Sequence, residues 1–147
     1  MKKVMVVIGC AVTVVVIGLL IAIPVSNNIV AKETAKTIVE LPVPEKTVYM
    51  ESVSLAGKLV GNGNGMQYFG AILITSELSL DQLSKYYKGY SNQISDIFVE
   101  KQKEQKIQVV EHQNLSFKTD IESDHFYIVY AWGSNNGLFD ELDLRGN

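Results

Sequence analysis

Any chemistry in this chain has to come from a small set of residues. Asp120-x-Glu122-x-Asp124-His125 puts three carboxylates and an imidazole within six residues, donor types used by divalent metals and by general acid–base hydrolysis. The run falls at a predicted turn, where solvated charge is the ordinary role of acidic side chains. His112, the other histidine, is separated from His125 by Leu115–Ile121, read as a strand. That is about 20 Å of extended chain, too far for one zinc ion to bridge. Gly61-Asn-Gly-Asn-Gly65 invites a phosphate-loop reading, which needs Lys-Ser/Thr and a helix after the glycines; Met66-Gln67-Tyr68 and a strand-like run follow instead. A calcium loop needs carboxylates where this one has asparagines. Glycine and asparagine tolerate positive φ, so the run reads as a tight connection. No serine or cysteine lies in a nucleophile motif. Tyr68, Phe69, Tyr86, Tyr87, Tyr90, Tyr127, Tyr130 and Trp132 sit at helical or strand spacing and read as core before ligand pocket. The sequence therefore assigns no catalytic, metal or cofactor-binding residue.

What would position such groups is organised around Val4–Val25, twenty-two residues without a charged side chain. As a helix of about 33 Å at ~1.5 Å per residue, it can cross a hydrocarbon core of roughly 30 Å. A cleaved signal would have a shorter apolar region and a small-x-small end, which Ala22-Ile23-Pro24-Val25-Ser26 lacks. Val7-Ile8-Gly9-Cys10 has some likeness to a lipoprotein cleavage site, but apolar sequence continues well past Cys10. An uncleaved anchor is the expectation. Lys2 and Lys3 precede it, whereas Lys32 and Lys36 beyond it are offset by Glu33 and Glu40, which predicts a cytoplasmic N-terminus and an exported domain. Beyond Val25, eleven basic side chains stand against sixteen acidic ones, a formal charge of −5. Such a balance argues against nucleic acid or anionic lipid as the main partner. Cys10 is the lone cysteine, so no intrachain disulfide supports the domain.

Pro24 is predicted to kink or end the span. Ile29–Leu41 reads as a separate juxtamembrane helix, with Ile29, Val30, Ala35, Ile38, Val39 and Leu41 as inward positions, stopped by Pro42-Val43-Pro44. Thr47–Ala56 and Met66–Thr75 flank the glycine loop as an antiparallel hairpin. Ser79-Leu-Asp-Gln82 has capping-box spacing, and Leu80, Leu83, Tyr87, Tyr90, Ile94 and Ile97 form one helical stripe, with Gly89 as a bend. Lys101–Lys106 reads as the helix exit. Three strands are then expected, Ile107–Glu111, Leu115–Ile121 and Phe126–Trp132, the last two sharing an apolar face across Glu122–His125. Leu138, Phe139, Leu142 or Leu144 is expected to pack on the domain edge. The predicted fold is α+β: a transmembrane helix, then a two-layer domain whose antiparallel sheet (β-β-α-β-β-β) is covered by one amphipathic helix. Residues 1–25 form the anchor, 26–44 the juxtamembrane helix and Pro-containing linker, and 45–147 the domain.

The block Gly57–Ile74, with Leu78-Ser-Leu80 and Tyr86-Tyr87, resembles an uncharacterised family of small single-pass, membrane-anchored bacterial proteins with an exported α+β domain. The resemblance implies a bacterial cell membrane and carries over no catalytic residue. Pilin-like subunits are a poorer match, because Gly9-Cys10 lacks the aromatic residue and glutamate that follow their cleavage site. The expected function is a non-enzymatic, membrane-anchored extracytoplasmic binding or accessory module. Its partners are the bilayer, through Val4–Val25, and a protein or small ligand at the membrane. The alternative is a small metal-dependent or hydrolytic enzyme using Asp120–His125.

Overall fold

The computed structural model describes residues 2–91, 96–133, 137 and 139–146. Ile94 of the expected helical stripe and Leu138 of the tail lie outside them. The first element, α1, is one helix of 38 residues, Lys2–Val39. It continues through Pro24, so the expected break and separate juxtamembrane helix are not found. The proline removes one backbone donor, but flanking turns hold their own bonds and the chain continues. Lys3–Ala22 is exposed at every position. From there a buried stripe runs Ile23, Asn27, Ala31, Thr34, Ala35 and Ile38, at three- and four-residue spacing. Of the expected inward positions, Ala35 and Ile38 are buried, whereas Ile29 and Val39 are exposed. The inward side chains at Ala31, Thr34 and Ala35 are small, and there the helix lies close on the sheet.

That sheet has four antiparallel strands in the order β1-β2-β4-β3: β1 Thr47–Gly57, β2 Gln67–Ser76, β3 Ile97–Lys101 and β4 Phe126–Trp132. The expected antiparallel β1–β2 hairpin forms, with partners running from Thr47↔Ser76 to Gly57↔Gln67 and a bulge at Met50. β2 is central and buried over most of its length. Ile72 and Ile74 face one layer; Phe69, Ala71 and Leu73 face the other. Burial on both faces explains why this strand reads as a continuous apolar run.

The α+β class is as expected, while the layers are assembled differently. On one face, Ile38 of α1 and Leu83 and Tyr87 of α2 (Leu80–Lys88) pack on Ile72, Ile74, Tyr127 and Val129. The capping box forms: Ser79 Oγ accepts from the Gln82 amide, and Gln82 Oε1 accepts from the Ser79 amide. The helix stops at Gly89, earlier than the stripe suggested, and Ile97 belongs to β3, paired with Ala131 of β4. The Ile-Phe-Val run at 97–99 is β-branched and aromatic, and tertiary pairing decides its state.

The opposite face is covered by residues 102–125, where two strands were expected. Neither Ile107–Glu111 nor Leu115–Ile121 is a strand; one isolated bridge, Lys106↔Ser116, joins them. β4 already has neighbours on both edges, so this segment has no edge of β4 to join. It lies across the sheet instead, burying Ile107, Val110 and Phe117 against Phe69, Leu73, Ile128 and Tyr130. The apolar rows at 115–121 and 126–132 do meet, by layer packing and not as a hairpin. Gln102 pins one end, donating to the carbonyls of Glu104 and Lys106 at 2.7 and 2.9 Å. Glu51 of β1 holds the other, accepting from the Lys118 amide and the Thr119 hydroxyl.

The helix–sheet crossing is closest at Gly70, where an added Cβ would stand 2.3 Å from the Ala35 nitrogen. Backbone lies on both sides, so no side chain can rotate away. Gly70→Ala is expected to destabilise the full-length protein in neutral detergent by about 3 kcal/mol or more. Gly63→Ala, with open space around it, should change stability by less than about 0.5 kcal/mol. Chemical denaturation of the two variants checks the contrast.

Candidate functional site

A buried polar cluster joins three distant parts of the chain where α1 passes from its exposed apolar stretch into the domain. Asn27 Nδ2 donates to Asp143 Oδ2 at 2.8 Å, and Asn27 Oδ1 accepts from the Tyr68 hydroxyl at 3.0 Å. The Tyr68 oxygen in turn accepts from the Gly137 amide at 3.1 Å. Arg145 grips Asp143 with Nε and Nη2, the latter at 2.7 Å, a forked charge-assisted pair. The same guanidinium reaches α1, donating through Nη1 to Asn28 Oδ1 and through Nη2 to the Pro24 carbonyl.

Local sequence explains why the tail can do this. Two short 3₁₀ turns, Asp140–Leu142 and Leu144–Gly146, are separated by Asp143 in an extended conformation. Alternation about that residue sends its carboxylate inward and both neighbouring leucines outward. The tail is further held by the Lys58 amide on the Arg145 carbonyl and the Gly65 amide on the Gly146 carbonyl. The approach at Gly137 is too close for any side chain: an added Cβ would meet the Tyr68 hydroxyl at 2.3 Å and Asn27 Oδ1 at 2.4 Å.

Hydrogen bonds from Arg145 pull the Asp143 carboxyl down to about 2; burial opposes this, and Asn27 assists. Burial raises the Tyr68 hydroxyl, with the Gly137 amide acting in the opposite direction. The cluster therefore holds a neutral phenol and a paired, ionised carboxylate. Its polar groups are bonded to one another across three parts of the chain, so the cluster clamps the tail to α1.

The residues singled out for chemistry are not brought together. Asp120, Glu122, Asp124 and His125 are all exposed; Asp120 Oδ1 accepts from Gln105 Nε2. His112 lies on the glycine loop, its Nε2 2.6 Å from the Gly61 carbonyl. Among the described residues, no group of three His, Cys, Asp or Glu side chains is placed to hold a metal ion. In the glycine loop, Gly61 (φ 72°) and Gly65 (φ 135°) adopt the positive φ expected of them. Their amides donate to Glu111 and Gly146 of the same chain. Phe69, Tyr87, Tyr127 and Tyr130 are core residues. Of the expected tail contacts, Leu142 and Leu144 are instead the outward side chains, and the acid between them is buried.

Sequence reading passed over Asn27, Asp143 and Arg145. The available signals were weak: a polar residue in phase with a helical stripe, and an acid–base pair between two leucines. Nothing local couples positions 116 residues apart. Comparison of the chain with protein-family models, curated proteins and solved structures finds no match. The fold and the clamp thus define the class of protein by themselves. It is an α+β domain built on the second half of a helix whose first half is apolar, exposed and long enough to span a bilayer.

Because the folded pKa of Asp143 lies below its unfolded value near 3.8, its contribution is complete above about pH 4. It is lost as pH falls toward 2, and amounts to about 2 kcal/mol. Asp143→Asn should lower stability at pH 6 by about this amount and flatten the acid limb of the stability curve between pH 4 and 2. Denaturation in neutral detergent across that range measures both.

Proposed function

We propose that the protein is a single-pass, non-enzymatic binding or accessory module of a bacterial cell membrane, its N-terminus cytoplasmic and its folded domain outside. One observation carries the reading. The helix whose first twenty-odd residues are apolar and exposed continues, unbroken, as a core element of the domain. A flexible linker would let a head search the space around its anchor. A continuous helix with a polar clamp at the exit holds the head at one height and one orientation above the membrane. That arrangement suits presentation of a fixed face to a partner in or on the same membrane.

Orientation is supported by the charges flanking the span. Lys2 and Lys3 lead it, while Lys36 beyond it is shared between Glu33 at 3.7 Å and Glu40 at 3.9 Å on the exposed side of α1. An acidic, compact domain whose loops are tied to one another supports binding by a preformed surface. In whole cells, Ser123→Cys in a Cys10→Ala background is expected to react with a membrane-impermeant maleimide without lysis. Labelling seen only after lysis would place the domain inside and overturn the orientation. For the function itself, titration of the purified protein with zinc or manganese should show no tight stoichiometric binding. Tight binding abolished by Asp124→Ala would favour an enzyme at Asp120–His125.

A further inference from the structure

We propose that Leu142 and Leu144 insert into the lipid acyl chains of the leaflet facing the domain, giving the head a second membrane contact beside its anchor; this rests on the reading of α1 as a membrane span. Both leucines are strongly exposed, at 62% and 74%, more than any other large apolar side chain described outside α1. They share a shallow crevice with Leu20, Ile23 and Pro24. Those three belong to the last turns of the uncharged run that ends at Val25. The leucines therefore stand at the depth where the span leaves hydrocarbon. A soluble partner could reach them only by entering the bilayer to the level of Leu20, so lipid is the occupant that position selects.

The clamp fixes this height. Asp143 is bound to Asn27, and Arg145 to Asn28 and the Pro24 carbonyl, so the tail cannot swing away from the helix. The one cation beside the leucines is paired with Asp143, and the segment 142–145 carries no net charge to hold it out of an apolar medium. Asp140 and Glu141, immediately before it, favour water and limit insertion to the leucines. A pair of leucines at this depth adds apolar burial to the membrane contact while leaving the domain above the headgroups.

The test uses the full-length chain in phosphatidylcholine vesicles. In a Cys10→Ala background, a nitroxide spin label is attached at Leu142→Cys, Leu144→Cys, Val12→Cys in the span, and Val48→Cys at the opposite end of β1. Oxygen concentrates in hydrocarbon and a polar nickel chelate in water, so their collision rates with the label report depth. The oxygen-to-nickel ratio at 142 and 144 is expected to be severalfold above that at 48, and on the same side as that at 12. A ratio at both leucines equal to that at 48, with 12 still deep, would overturn the insertion and leave the span intact. A water-like ratio at 12 would overturn the span, and the insertion with it. The substituted tail positions are largely exposed, and an unchanged thermal transition verifies the fold.

Discussion

The structure depends on α1 meeting two environments with one unbroken backbone. Its first half presents apolar side chains all round, and its second half presents a narrow inward stripe that is small at Ala31, Thr34 and Ala35. Helix and sheet can approach this closely only because position 70 has no Cβ and positions 31 and 35 have only one carbon. β2, which receives the helix, is also the strand that pairs on both sides and is buried on both faces. The domain and the apolar half of α1 are therefore joined by one continuous helix, with no linker between them.

The polar cluster at the exit complements that packing. A buried ion pair gains little over a well-packed apolar substitute, since desolvation offsets much of its Coulombic attraction. What the cluster adds is register between α1 and the tail. The Pro24 carbonyl, Asn27 and Asn28 give the tail its partners on α1 within a stretch of five residues. A slip of one turn would leave Asp143 and Arg145 paired with each other within the tail, but would take Asn27 from the buried carboxylate and Asn28 and the Pro24 carbonyl from the guanidinium. A buried polar group left unpaired costs about 1–3 kcal/mol. The tail also reaches Lys58 and Gly65, so one short segment ties the helix exit to the first hairpin.

The segment between β3 and β4 shows another economy. It covers the second face of the sheet without joining it, and its carbonyls and amides are satisfied by Gln102, Glu51, Leu59 and one bridge. The acidic turn and both histidines lie on this cover or its margins, exposed to solvent. Their placement suits surface charge, and a partner would meet them as part of a preformed outer face.

Several features were legible in the residues alone because their cause is local. The uncharged run at Val4–Val25, the glycine loop with its flanking hairpin, the capping box at Ser79–Gln82 and the β4 run each follow from composition or short spacing. Other features needed the tertiary fold. Leu115–Ile121 alternates like a strand, yet alternation records only that every second residue meets apolar surface, and a layer laid across a sheet meets that condition as well as a hydrogen-bonded neighbour does. Ile97 fits a helical stripe and still belongs to β3, because pairing with β4 outweighs a weak local preference beyond Gly89. Pro24 marks a missing donor but does not say whether the helix stops, since that depends on what its flanking turns pack against. The clamp lay furthest from the sequence's reach: Asn27 and Asp143 gain meaning only when folding brings them together, and a lone polar residue on an apolar stripe carries no address for its partner.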